Sequence, residues 1–294
     1  MTDLMTHASA RLSMREFVEL PLWADALRTF DAELAPDLSN APELLAQVPL
    51  AAFAATLLNP PAHYPRAAKF LPSMPSDLVQ RQWTGSDGTV LLETSLAFMA
   101  HAVAAAGGPS QLRGKRVLDF GIGWGRLAKL WLKYLPPDQL KGCDAWDKSL
   151  DLARECGIRN EMQLSDALLR TTPYPAKSFD LVYAFSIFTH LSERSFTGCL
   201  RGIRDMLVTG GRVVFTVRPR DFWTLRPDLS QQAELLQSTG FVFVPSQGLE
   251  DFGDTTLSTA WLRDTLQQAG LQLVAVEWSP VDALQVVIVA ERVA

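Results

Sequence analysis

The residues best suited to chemistry in this sequence form a run of closely spaced glycines, Gly121, Gly123 and Gly125, directly after Val117, Leu118, Asp119 and Phe120. An apolar strand that enters such a turn and leaves as a helix brings a ligand close to the backbone, because glycine tolerates positive φ and has no Cβ. Asp144 and then Asp166 come next, each about twenty residues further on and each at the end of another apolar run. A carboxylate at the first place can accept both hydroxyls of a ribose, and one at the second can accept an adenine amino group. Taken singly, such aspartates are more often helix caps or turn residues, and the glycines alone also fit a structural tight turn. Their order favours a site: three polar signals at the carboxyl ends of three successive strands, where open α/β sheets bind ligands. In nicotinamide sites the third glycine stands three positions after the second. Here Gly125 stands two after Gly123 and the bulky Arg126 comes next, which weakens that reading.

Apolar and β-branched runs predict strands at 116–120, 140–145, 162–165, 179–184, 212–217, 271–278 and 285–290, with helices at 126–135, 148–156, 193–208 and 259–269. The run 179–184 lacks polar alternation, as strands covered on both faces do. Alternating β and α units of this length predict an α/β fold, a doubly wound and mostly parallel seven-stranded sheet. The short link around Pro280 cannot carry a parallel crossover, so the last strand should be antiparallel. Upstream, 13–58 reads as helices, with Phe17, Leu20, Trp23, Leu27 and Phe30 on one face. The proline-rich stretch 59–75 reads as an extended connector, and 89–106 as a helix stopped by Gly107 and Gly108. Asp147 is the best cap for the helix at Lys148. The expected organisation is a helical N-terminal extension over 1–88 and an α/β domain over 89–294. The roughly forty residues at 219–258 are too long for a plain connection and read as a lid or substrate arm.

With 294 residues, 48% hydrophobic and 20% charged, the chain has the composition of a globular protein able to bury a large core. The net charge of −5 argues against a nucleic-acid partner, which needs a concentrated basic face. Cys143, Cys156 and Cys199 show neither disulfide nor zinc spacing, and no two histidines have ligand spacing. The first fourteen residues lack the apolar core of a secretory signal, and the longest apolar run, 50–58, is too short for a bilayer. These features predict a cytoplasmic protein with no membrane association.

Residues 112–217 resemble the class I S-adenosylmethionine-dependent methyltransferase superfamily. The run from Asp119 to Arg126 looks like its first motif, and 142–154 like its second strand and the helix after it. Ser165, Asp166 and Ala167 match the adenine-side acidic position. Residues 178–191 resemble the fourth strand and its exit, and 206–212 the turn before the fifth strand. The resemblance implies S-adenosyl-L-methionine as cofactor. Asp119, Gly121 and Gly123 would surround its methionine portion, Asp144 and Ala145 its ribose, and Trp146, Asp166 and Ala167 its adenine. Ala184 and Phe185 would line the methyl-transfer cleft. The segment 79–87, with Trp83, resembles pieces that close over the cofactor in bacterial small-molecule relatives; it equally reads as a helix start capped by Ser86 or Asp87. Trp124 would touch substrate or cover the first helix.

The activity implied is methyl transfer to oxygen or nitrogen of a small molecule, a saccharide or natural product. Other chemistry on the same fold, or a non-catalytic cofactor-binding role, is the alternative. His190, just past the fourth strand, is the first candidate for a general base, against a packing role. Arg218 and Arg220, after the fifth strand, would pair with an anionic substrate or lie solvated, and Glu250, Asp251 and Asp254 are weaker candidates. No Asn/Asp-Pro-Pro-Tyr/Phe run stands after the fourth strand, which argues against amino-methylation of nucleic acids. No acidic residue stands at the exit Ala184, Phe185 and Ser186, so no metal is expected.

Overall fold

The chain's apolar runs pair into one seven-stranded sheet in a computed structural model that describes residues 21–58, 64–224, 230–246, 248–279 and 281–293. The helices before the sheet are α1 (Pro21–Glu33), α2 (Ala41–Leu44), α3 (Leu50–Leu58), α4 (Pro65–Phe70), α5 (Asp77–Thr84) and α6 (Gly88–Ala105). Then come β1 (Val117–Phe120), α7 (Ala128–Trp131), β2 (Leu140–Asp144), α8 (Asp147–Glu155), β3 (Met162–Leu164), β4 (Phe179–Ala184), α9 (Glu193–Met206) and β5 (Leu207–Val217). The remainder is α10 (Asp221–Thr224), α11 (Ser230–Thr239), β6 (Phe241–Pro245), β7 (Gly253–Leu257), α12 (Thr259–Gln268), β8 (Leu271–Trp278) and β9 (Val286–Arg292). The strand order is β3-β2-β1-β4-β5-β9-β8. The first five strands are parallel, and β9 runs antiparallel to both neighbours, as the short β8–β9 link requires.

Successive residues of the central strands enter opposite cores, which is why β4 shows no polar alternation. Val117, Leu181 and Tyr183 join the cluster formed with α1, α3, α6 and α7. Leu118, Val182 and Ala184 join the cluster formed with α9 and α12. By length and composition α6 is apolar enough to cross a membrane, but Leu91, Leu92, Phe98, Met99, Ala102 and Val103 are buried in the first cluster, and that packing accounts for its apolarity.

Several local expectations need correction. Within the described part of the proline-rich stretch lies a helix, α4, because Pro65 stands at its start, where a missing N–H costs nothing. The segment 79–87, taken as a piece that closes over the cofactor or as a helix start capped by Ser86 or Asp87, is largely α5. Ser76 caps it through a hydrogen bond from Val79 N, and Gly85 ends it in the left-handed conformation at φ 77. Asp87 precedes α6 without a side-chain cap bond, and its carboxylate pairs with Arg81 at 2.7 Å instead. Asp147 is the first residue of α8, and Trp146 holds the cap position. The helix expected at 126–135 shrinks to one regular turn. The glycine turn runs through Gly125, and i→i−3 bonds such as Tyr134 to Trp131 tighten the chain after α7. The strand expected from 212 begins at Leu207. The pairing with β4 shifts between Phe179 and Leu181, which accommodates the left-handed Gly210. Phe17 and Leu20 lie outside the described residues.

The long connection at 219–258 is not a bare loop. It carries α10, α11 and the hairpin β6–β7, with a small core of Phe222, Trp223, Leu236 and Val242. The hairpin is seated on the exit of β4: Gly253 N donates to His190 O and Thr255 N to Thr189 O, both at 2.8 Å, and Leu191 bridges to Phe252.

Candidate active site

The turn after β1 is shaped by conformation before contacts. Gly121, Gly123 and Gly125 adopt φ of 78°, 55° and 81°, the region that side chains disfavour. A Cβ on Gly121 would lie 2.2 Å from Ile187 Cδ1, so that side chain packs directly against this glycine. A Cβ on Gly123 would meet nothing within 4 Å: this face of the turn is open. Gly121 N and Ile122 N donate to Cys143 O at 2.8 and 3.0 Å, which binds the turn to the end of β2.

Asp144 completes that junction. One carboxylate oxygen accepts from Gly123 N and the other from Trp146 N, each at 2.9 Å. Burial raises its pKa above the ordinary carboxylate value, and these N–H donors pull the other way. Ser165 N donates to Asp144 O at 2.8 Å, so the tips of β1, β2 and β3 are joined in series. Gly121, Asp144 and Asp166 therefore lie on one side of the molecule, at adjoining strand ends. Ala145, Trp146 and Ala167 are exposed there. Trp146 stacks on Trp83 of α5 with ring centroids 5.0 Å apart, too close for a third ring between them. Asp166 is already engaged: Leu168 N and Arg170 Nε each donate to it at 2.8 Å. The Arg170 bond and then the Leu168 bond hold its carboxyl below the usual range.

Asp119 is not at this surface. It is 4% exposed, aligned across β1 and β4 with Tyr183, and its Oδ2 makes no hydrogen bond among the described residues. Burial pushes its carboxyl up to about 8, against the pull of the Tyr183 phenol. The folded chain thus holds this proton more tightly than the unfolded chain does. Stability from this group is complete below about pH 4 and is lost as pH rises to about 8. Asp119→Asn, which cannot ionise, should therefore match the parent's Tm at pH 4 and exceed it by roughly 5 °C or more at pH 8.5 in thermal melts. Equal melting curves at both pH values would show that Asp119 is not a buried, protonated acid.

Beyond β4, the part-buried ring of Phe185 is held between two partners: Phe98 stacks on it at 4.5 Å and 15°, and the Arg126 guanidinium lies 4.7 Å over it. His190 Nδ1 lies 2.7 Å from Gly253 O. A carbonyl only accepts, so Nδ1 carries the hydrogen and Nε2 of the neutral ring holds the lone pair. Burial is the main cause that lowers the His190 pKa, and the Gly253 contact opposes it. The ring stacks on Phe252 at 5.0 Å, and its Nδ1 lies 3.9 Å from Asp254 Oδ1. Asp254 in turn pairs with Arg218, whose guanidinium lies 4.2 Å over Phe222. The structure thus brings His190, Arg218 and Asp254 together and leaves Arg220 apart and exposed. No spacing in the sequence relates residue 190 to Gly253. The one signal was that the connection at 219–258 is too long to be plain. Trp124 is corrected: it is 1% exposed, with the Lys129 ammonium 4.6 Å over its ring, so it packs in the core and presents no face to a substrate.

This strand order, with its glycine turn and acidic strand tips, defines a Rossmann-like class I methyltransferase fold. Residues 117–211 match the family described as methyltransferase domain. A methyltransferase from Clostridium acetobutylicum, dependent on S-adenosylmethionine, aligns with a TM-score of 0.52 at 11% identity, over 74% of this chain and 97% of its own. The magnesium protoporphyrin IX methyltransferase of Synechocystis, solved with bound S-adenosylhomocysteine, aligns at 0.50 and 14% identity, over 75% and 90%. No curated protein matches the sequence. The matched span runs from β1 into β5 and takes in the glycine turn and the acidic strand tips.

Proposed function

We propose that this enzyme methylates an oxygen or nitrogen of a small-molecule acceptor over the tips of β4 and β5. The observation that carries the reading is the Asp144 carboxylate, which ties Gly123 N to Trp146 N at the junction of three strand ends. That arrangement suits an adenosyl ligand. Gly123 offers an open, side-chain-free face of the turn to the methionine portion, beside Gly121 and with Asp119 buried in the strand before it. Asp144 and Ala145 stand where the ribose would lie. Trp146, with Trp83 stacked on it, forms the wall of the adenine site, and the small Ala167 beside Asp166 leaves room for a flat base. Phe185, just past β4, is assigned to the lining of the transfer cleft.

When bound, the cofactor supplies an electrophilic methyl group on its sulfonium. The protein's task is to orient the acceptor, exclude water and take up a proton. His190 is assigned the last role. Its Nδ1–H is fixed on Gly253 O, its Nε2 lone pair is free of that contact, and a lowered pKa keeps the ring neutral at pH 7. The segment 219–258 is read as the substrate arm that holds this imidazole, on a core formed by 89–294, with 1–88 as a helical extension. Saccharides and natural products are the acceptor classes proposed.

Calorimetry tests the assignment directly. S-adenosylhomocysteine should bind with micromolar affinity and NADH should show no heat; the reverse preference would overturn the reading.

A further inference from the structure

Arg126, at the end of the glycine turn, has no task in the cofactor reading. A guanidinium inside a protein is costly unless a counter-charge or a full set of acceptors meets it. Here Nε donates to Ser95 Oγ at 2.8 Å, and Nη2 donates to Leu91 O at 3.0 Å and to Thr94 Oγ1. These bonds to α6 fix the plane of the group, which lies against Phe185. Nη1 makes no hydrogen bond among the described residues, and no carboxylate there lies within ion-pair distance. Burial brings the pKa down to about 9, with Asp282 as the charge that opposes this.

The position of the fork decides which ligand it faces. Asp144, Trp146 and Asp166 stand at β2 and β3, on one side of β1. Phe185 comes just after β4, and Asp282 lies in the link from β8 to β9, on the other side of β1. Arg126 starts at the turn and reaches across to the half of the sheet where the acceptor must lie. Nε and Nη2 are spent on α6, so a ligand would meet the two N–H groups of Nη1, whose positive charge suits an anionic carboxylate better than a neutral hydroxyl.

We infer that Arg126 binds an anionic carboxylate of the methyl acceptor, so that the substrate is an organic acid. This rests on the methyl-transfer reading above. A carboxylate also exists on the methionyl end of the cofactor, and the experiment separates the two sources.

The parent and Arg126→Gln are saturated with S-adenosylhomocysteine and titrated with benzoate or with benzamide, its neutral counterpart. The parent complex should bind benzoate at least about tenfold more tightly than benzamide, and Arg126→Gln should lose that preference. Arg126→Lys, which keeps the charge but not the fork, should retain part of it, and it serves if the glutamine variant does not fold. Affinity for S-adenosylhomocysteine and for 5′-methylthioadenosine, which lacks the amino-acid end, should change less than about threefold in both variants. The inference is overturned if the parent binds benzoate and benzamide alike, or if the variants keep the full preference. It is also overturned if they lose S-adenosylhomocysteine affinity tenfold while methylthioadenosine is unaffected, because the arginine then holds the cofactor's own carboxylate. A parent that binds no S-adenosylhomocysteine at all is a different failure, that of the methyl-transfer reading, and the inference falls with it.

Discussion

Replacing His190 with alanine is expected to lower turnover by about 10²-fold or more while S-adenosylhomocysteine affinity stays within about twofold. The separation of effects comes from the layout. His190 lies past β4 and is held by Gly253 of the hairpin, whereas the proposed cofactor contacts lie at β1, β2 and β3. A base also has a pH signature. Its neutral form is the active one, so kcat/KM should rise with pH along an acid limb and then level off. Burial lowers the pKa of this imidazole, so the midpoint should lie below 6.5, and the limb should vanish in His190→Gln. A residue that only packs against Phe252 would change stability without removing the limb. Full activity in the alanine variant would exclude His190 as the base.

Asp144→Ala should weaken S-adenosylhomocysteine binding by more than tenfold. Two losses combine. The carboxylate proposed to accept the ribose hydroxyls disappears, and Gly123 N and Trp146 N lose the acceptor that joins them. Asp144→Asn separates these losses, because its amide oxygen can still accept from one N–H while the charge is gone. It should fall between the parent and alanine in a calorimetric titration. Unchanged affinity in Asp144→Ala would remove this residue from the site.

The two predictions probe different halves of the sheet, and the halves differ in how legible they were. The tips of β1, β2 and β3 were readable because their determinants are local: each lies within a few residues of a strand end. The region past β4 and β5 depends on distant segments that meet only in the folded chain. The Arg218–Asp254 pair joins residues from opposite ends of the inserted segment, and Phe98 reaches Phe185 from a helix that precedes the sheet. The position of Trp124 was legible, but its direction was not, because a turn of three left-handed glycines aims the intervening side chains in ways that helical or strand periodicity does not describe.

From spacing alone, the amino-acid sequence determined the seven strands, the antiparallel last one and the glycine turn with its acidic strand tips. Period-two and period-3.6 patterns and the special φ of glycine are properties of the local chain, so they survive without a structure. Tertiary packing decided that Asp119 is buried, with its carboxyl pushed well above the usual range, that Trp124 is core, that α5 is a helix bearing Trp83 and that Arg126 reaches α6. It also decided that the hairpin carries the acceptor for the His190 ring proton. Each of these depends on which surface remains dry once distant elements dock, and that balance of burial and hydrogen bonding does not exist until the chain has closed on itself.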